Sequence, residues 1–332
     1  MKIGRRALLG GALGAGMAAT AAGQQWGDPP TPAAGDPAAP PWPAKERFAL
    51  WPGSPPGAPR ALPAFNPSMN GPAGARELWL RGIARPEVHV FRPARPDGSA
   101  LLVLPGGGYQ FLSVQNEGLD VAQRCNGWGT TVFVLAYRLP GEGWAERHLV
   151  PLQDAQRGMR LIRARAADFR IDPGRLGVVG FSAGGHLAAD LAVAHAEAVY
   201  RPVDASDRLS ARPAYAGLVY PVTTVRPEGT RGGSMDALLG QAPPPALIDA
   251  RSPVLHVDSR TPPAFLVHAL DDAVVPLENS LQWIAASRAA GVAVEAHLFA
   301  SGGHGFGLHL PAYLPGSRWP ELFNLWLRGN GG

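Results

Sequence analysis

From about residue 77 onward the chain carries readable periodicity. Residues 78–80 and 87–91 alternate apolar and polar side chains with the two-residue period of strands at a partly solvated antiparallel edge, which places His89 on a sheet surface. The pattern then changes. Residues 100–104 and 130–136 are short apolar runs, as expected of strands covered on both faces, and residues 176–179 and 264–269 repeat the pattern. Further strands are expected at 214–220 and 292–299. Between the runs, helical spacing appears at 117–126, 153–169, 277–290 and 319–327, with Leu152, Ala155, Met159 and Ile162 lining one face of the second of these. Strand and helix in repeated succession imply a mostly parallel central sheet with helices on both faces. The connection at 221–261 is rich in glycine and proline, with one short helix expected at 234–239. It is too short and broken for a large cap domain, so an open site is expected.

The N-terminal part has a different character. Residues 1–23 show a basic start containing Arg5-Arg6, a moderately apolar middle and small residues suited to a signal peptidase, the pattern of a twin-arginine-type signal peptide cleaved after Ala21 or Gly23. Periplasmic or secreted location is the expectation, with no stable membrane anchor after removal of the signal. Residues 24–63 turn to proline, alanine and glycine and are expected to form a semi-extended tether, whose later piece around Phe48 to Gly53 lies against the domain. Trp51 is read there as a core plug. Residues 64–332 are then left as one catalytic domain.

Composition narrows the classes. With 332 residues, 46% of them hydrophobic, the chain can bury the core of one large α/β domain. The net charge of +4 comes from scattered arginines, Lys2 and Lys45 being the only lysines. No arginine run is interleaved with aromatic residues, which argues against a nucleic-acid surface. Cys125 is the single cysteine, so neither an internal disulfide nor a cysteine-rich metal site is available, and its helical position suits a buried, inert thiol.

The candidate chemistry sits on loops after the buried strands. GFSAGG at 180–185 follows one apolar run and leads into a small-residue segment capable of helix, so Ser182 is expected on a tight strand-to-helix turn whose flanking positions must be glycine. A hydroxyl held there can attack an acyl carbon while the Ala183 amide helps hold the oxyanion. PGGGY at 105–109 follows another buried strand, and the amides of Gly107 and Gly108 are candidates for the remaining oxyanion donors. The strand at 264–269 ends in Asp271-Asp272, and the last strand is followed by SGGHGFG at 301–307. His304 is the candidate general base and Asp272 the acid that orients it, with Asp271 as the competitor; His186, His297 and His309 are the nearest rival histidines, and His268 at a strand end is assigned a structural role.

Taken in order, LWPGSPPG, LPGGGY, YRLP, GFSAGGHLA, PPAFLVHALDDAVVP and GGHGFG resemble the α/β-hydrolase superfamily, and within it bacterial carbohydrate esterases of the acetyl xylan esterase-like group. The resemblance runs from about Phe48 to the last helix. It implies Ser182, Asp272 and His304 as the triad, Gly107, Gly108 and Ala183 as the oxyanion hole, and no metal or cofactor. Pro105 departs from the better-known lipases, in which a histidine often precedes the glycines, so the resemblance does not extend to the hormone-sensitive-lipase branch. The implied activity is removal of small acyl groups, acetyl foremost, from polysaccharide or oligosaccharide esters, with Tyr109, Trp128 and Trp144 as candidate surfaces for a sugar. Some relatives carry the name xylanase, yet nothing in the sequence resembles a glycosidase's paired carboxylates. The alternatives are a general short-chain esterase or lipase, a small-peptide peptidase, and a non-catalytic carbohydrate-binding protein on the same scaffold.

Overall fold

The computed structural model describes residues 30–71, 74–226 and 233–330. The expected signal peptide at 1–23 and the first residues of the expected tether lie outside the described residues. Among the described residues eleven strands appear in chain order: β1 (Thr31–Pro32), β2 (Arg47–Ala49), β3 (Asn66–Asn70), β4 (Glu77–Arg81), β5 (Glu87–Phe91), β6 (Ala100–Leu104), β7 (Thr131–Ala136), β8 (Leu176–Phe181), β9 (Ala216–Val219), β10 (Ala264–Ala269) and β11 (Val294–Phe299). The helices are α1 (Asp120–Asn126), α2 (Val150–Ala164), α3 (Ala166–Phe169), α4 (Ser182–Ala194), α5 (Ser234–Leu239), α6 (Pro245–Ala250), α7 (Glu278–Ala289) and α8 (Trp319–Asn330).

Eight strands form the main sheet in the order β11-β10-β9-β8-β6-β7-β5-β2. From β7 to β11 every neighbouring pair is parallel; β5 runs against β7, and β2 runs against β5. Strands β6, β7, β8, β9 and β10 are buried along their whole length, which is why their sequences read as unbroken apolar runs. The edge strand β11 is half exposed instead. The sheet is flanked by helices, and all the parallel strands deliver their C-terminal ends to one edge, where ligand sites of such sheets gather.

Three expectations change. The described part of the proline-rich segment is not a tether. Its β1 pairs with β3 at the rim of a separate three-stranded antiparallel sheet, β1-β3-β4, and its β2 completes the main sheet. Proline is tolerated at a sheet edge because no ladder donor is needed on the outward side. Leu50 and Trp51 are buried, and the Trp51 indole donates to Asp154 at 2.9 Å, so Trp51 does plug the core. A boundary at residue 64 therefore cuts through one packed unit.

His89 is the second change. It is 2% exposed, not on the sheet surface, because residues 42–44 fold over it: Trp42 stacks at 3.9 Å between ring centroids and the Ala44 amide donates to Nδ1. Burial, helped by the nearby Arg47 charge, depresses its pKa to about 3. Third, residues 77–81 belong to the small sheet, and Leu78, Trp79 and Leu80 are all buried instead of alternating. Smaller differences follow local chemistry. The helix expected at 153–169 starts at Val150, with Pro151 in its first turn, and breaks at Arg165. The 117–126 helix is entered through a π-helical turn, Gln115–Leu119. In the 221–261 connection α6 joins the expected α5, and the described residues hold no large cap.

Candidate active site

At the end of β8 the backbone is extended at Phe181 and then turns directly into α4. Ser182 takes φ +52°, a left-handed conformation that costs a non-glycine residue on the order of 1–3 kcal/mol and survives only where packing enforces it. The enforcement is visible on both sides. A Cβ at Gly180 would sit 2.0 Å from the Gly184 carbonyl oxygen, and one at Gly184 would sit 2.1 Å from that of Leu104. Only glycine fits at either position, as the motif predicts. The serine hydroxyl is thereby raised at the N-terminus of a thirteen-residue helix, whose first amides lack intrahelical acceptors and whose dipole favours negative charge.

The structure brings Ser182, His304 and Asp272 together. Ser182 Oγ is 2.8 Å from His304 Nε2, and His304 Nδ1 is 2.7 Å from Asp272 Oδ2. With its Nδ1 proton directed at the carboxylate, the imidazole presents the Nε2 lone pair to the hydroxyl. The Asp272 side chain is fully buried. Burial by itself would raise its pKa, but hydrogen bonds from His268 and His304, the His304 charge and the Val275 amide outweigh it and hold the carboxyl well below the usual range. Its Oδ1 accepts from the amides of Val274 and Val275, each at 2.9 Å. His268 has more than a packing role, since its Nε2 lies 3.2 Å from Asp272 Oδ2 while Nδ1 meets the Ser280 hydroxyl at 2.7 Å. The competitor Asp271 points elsewhere: its Oδ1 accepts from the amides of Gly302 and Gly303, fastening the loop that carries His304.

Facing the serine is the glycine loop after β6. The Gly106 carbonyl accepts from the Ser113 amide at 3.1 Å, and the Gly107 carbonyl accepts from the amides of Gln110 and Phe111. In a trans peptide the N–H points opposite to the C=O, so anchoring these two carbonyls aims the amides of Gly107 and Gly108 away from the Ser113, Gln110 and Phe111 donors. Gly107 holds this turn at φ +122°, where a Cβ would collide with the Phe111 carbonyl at 2.2 Å. A Cβ on Gly106 would lie 3.0 Å from that of Ser182, so the loop abuts the serine directly. The loop that carries Gly107 and Gly108 therefore lies beside Ser182, and Ala183 follows that serine at the start of α4.

Tyr109 is not a surface for substrate. It is 2% exposed, and its hydroxyl is spent on His186 Nδ1 at 2.7 Å, while His186 Nε2 meets the Arg251 carbonyl at 2.8 Å. This pair ties the glycine loop to α4, which accounts for both Tyr109 and the rival His186. Trp144 is likewise buried, under the Arg138 guanidinium, whereas Trp128 is partly exposed beside Arg124. His297 pairs with Glu295 and His309 with Asp120.

Three residues near the site went unread in the sequence: Asn116, Glu117 and Tyr220. Asn116 donates to the Gly305 carbonyl at 3.0 Å. Glu117 accepts from the Gly106 amide at 2.6 Å and from the Tyr220 hydroxyl at 2.8 Å, and burial pushes its carboxyl up to about 7 against the pull of those two donors. Glutamate early in a helix reads as an acid favoured by the dipole and exposed to solvent. Tyr220 did carry a signal, because it directly follows β9 at the edge of the sheet where site residues gather.

The sheet order, the strand-turn-helix that lifts Ser182 and the glycine loop after β6 define an α/β-hydrolase fold. An acetyl ester-xyloside bifunctional hydrolase from Caldicellulosiruptor lactoaceticus superposes with a TM-score of 0.71 at 34% identity, covering 87% of this chain and 97% of that one. A thermophilic esterase from Thermogutta terrifontis gives 0.63 at 25% identity, covering 74% and 90%. More narrowly, the chain belongs to the BD-FAE family, whose model matches residues 94–286. It is 34% identical over 234 residues to an acetylxylan esterase of Xylanibacter ruminicola, and 34% identical over 205 residues to endo-1,4-beta-xylanase B of Butyrivibrio fibrisolvens. The matches cover 69% and 62% of this chain but only 45% and 32% of those proteins, so the chain spans less than half the length of either.

Proposed function

We propose that this chain is a serine carboxylesterase that removes small acyl groups, acetyl foremost, from polysaccharide or oligosaccharide esters. The observation that carries the reading is the unbroken hydrogen-bonded line from Ser182 Oγ through His304 to Asp272, set against the glycine-loop amides. His304 takes the serine proton as Oγ attacks the ester carbon. The amides of Gly107, Gly108 and Ala183 hold the tetrahedral oxyanion. His304 then returns the proton to the departing sugar hydroxyl, and water repeats the sequence on the acyl-enzyme.

Support for the carbohydrate side comes from the names of the matched proteins, an acetylxylan esterase and an acetyl ester-xyloside hydrolase. Two site carboxylates, Asp272 and Glu117, are buried and engaged by donors within the protein, unlike a glycosidase pair flanking an open bond. We also propose export to the periplasm or the exterior, on the pattern of residues 1–23. No helix among the described residues is long and apolar enough to cross a membrane.

The test is a hydrolysis panel of acetylated xylan, feruloylated oligosaccharides and 4-nitrophenyl butyrate, run on the wild type and on Ser182→Ala. Acetate release from xylan that falls by roughly 10⁴–10⁶-fold in the variant is the expected result. Hydrolysis of the nitrophenyl ester alone would leave a general short-chain esterase. Unchanged turnover in Ser182→Ala would remove the serine mechanism altogether.

A further inference from the structure

Two loops must hold still relative to each other for this site to work: the glycine loop after β6 and the loop after β11 that carries His304. They lie far apart in the chain and on different strands of the sheet. A single buried chain of hydrogen bonds joins them. The Gly106 amide donates to Glu117 Oε2 at 2.6 Å, the Tyr220 hydroxyl donates to Glu117 Oε1 at 2.8 Å, and the same hydroxyl accepts from the Gly307 amide at 3.0 Å. Glu117 is 3% exposed and Tyr220 fully buried.

Each link fixes something the reaction uses. Glu117 sets the peptide plane ahead of Gly106, and Ser113 sets the next one through the Gly106 carbonyl, so the direction of the Gly107 amide depends on both. Tyr220 stands at φ +37°, and its ring packs against the imidazole of His304 with 5.0 Å between centroids. Asn116, the residue before Glu117, reinforces the bridge by donating to the Gly305 carbonyl. The π-helical turn at Gln115–Leu119 carries both side chains, an irregularity of a kind often found at functional sites.

We propose that Glu117 and Tyr220 are a positioning pair for the esterase reaction, a hydrogen-bonded strut that keeps the oxyanion amides and the general base in register with Ser182. Neither touches the reacting atoms, and the inference rests on the esterase reading above. Tyr220→Phe removes the hydroxyl and leaves Glu117 Oε1 and the Gly307 amide without each other's bridge. Glu117→Gln keeps the shape but has one acceptor oxygen for two donors.

Both variants, and the double variant, are to be compared with the wild type on 4-nitrophenyl acetate, with circular dichroism and Tm recorded at the assay temperature. Each single change is expected to lower kcat about 10- to 100-fold with KM within about twofold, because misplaced groups weaken the transition state and leave ground-state binding alone. The double variant should fall no further than the worse single one, since both act through one strut. A second arm does not depend on ester turnover: the rate at which a 4-nitrophenyl alkylphosphonate phosphonylates Ser182, nitrophenolate leaving as the Oγ–P bond forms, followed by mass spectrometry. That rate should drop by the same factor.

Equal kcat and equal phosphonylation rates in the folded variants would overturn the strut. So would losses that multiply in the double variant, or losses that merely track the unfolded fraction. A wild type that is phosphonylated but hydrolyses no ester would instead overturn the esterase reading, and slower labelling in the variants would then still support the strut.

Discussion

The site is flanked by two buried carboxylates that the protein treats in opposite ways. Asp272, on the side of β10, receives hydrogen bonds from two imidazoles and two amides, and these hold it ionised well below the usual carboxylate range. Glu117, on the side of the glycine loop, receives one amide and one phenol, both uncharged donors, and burial raises its pKa to about 7. Among the described residues no cation compensates it; Glu77 nearby adds to the upward push, and the Tyr137 and Tyr220 phenols also lie within its field. The difference teaches that burial alone does not decide a carboxylate's charge. What decides it is how many donors converge on it: two imidazoles and two amides outweigh burial at Asp272, whereas one amide and one phenol do not at Glu117.

Removing the charge on the Asp272 side should give the largest effect. Asp272→Asn is expected to lower kcat by roughly 10³–10⁴-fold while the fold persists, because the imidazole loses both its tautomer control and the charge that stabilises its protonated form. Steady-state rates on 4-nitrophenyl acetate, with a circular dichroism control, check this. If the variant kept full activity, the carboxylate would have no place in the reaction.

The Glu117 side should show itself in stability. A carboxyl whose folded pKa is raised from 4.5 to about 7 binds its proton more tightly in the folded state, so its contribution is fully present below about 4.5 and is lost as pH rises through 7. The shift corresponds to on the order of 3 kcal/mol. Asp272 has the opposite sign: its contribution is present above its ordinary pKa of 3.8 and lost only as pH falls below that value. His89, with its pKa depressed to about 3, adds the opposite slope below about 6.5 to both proteins, so the difference carries the test: in urea unfolding between pH 5 and pH 8 the wild type should lose stability relative to Glu117→Gln as pH rises. An unchanged slope in Glu117→Gln would show that the carboxyl does not titrate in this window.

The smallest expected effect concerns the neighbour of Asp272. Asp271→Asn keeps an acceptor oxygen for Gly302 and Gly303 but loses its charge, at a cost of about 1 kcal/mol in the anchoring of the His304 loop. Activity should drop only a few-fold, measured as kcat on the same ester. A loss as deep as that of Asp272→Asn would mean the two aspartates share the role.

How far the chain could be read depended on the range of the interactions involved. Glycine at 180 and 184, serine at 182 and the run before them report a strand-turn-helix whose constraints are all local, so the turn at Ser182 is legible in the sequence alone. The parallel core was legible for a similar reason, since strands buried on both faces announce themselves as apolar runs. His89 was misread because residues 42–44, distant in sequence, fold over a surface that the local alternation marks as open. Tyr109 was misread in the same way. Its ring lies in a glycine-rich loop that looks exposed, yet its hydroxyl meets His186 on another element.

The one-dimensional pattern of residues therefore specified the parallel sheet, the turn that carries Ser182 and the succession of serine, acid and histidine along the chain, because each is set by neighbours within a few positions. Tertiary packing alone decided the burial of Tyr109 against His186 and the bridge from Glu117 to Tyr220. Those outcomes rest on hydrogen bonds between segments that only the closed sheet brings within 3 Å of one another, and no local preference encodes them.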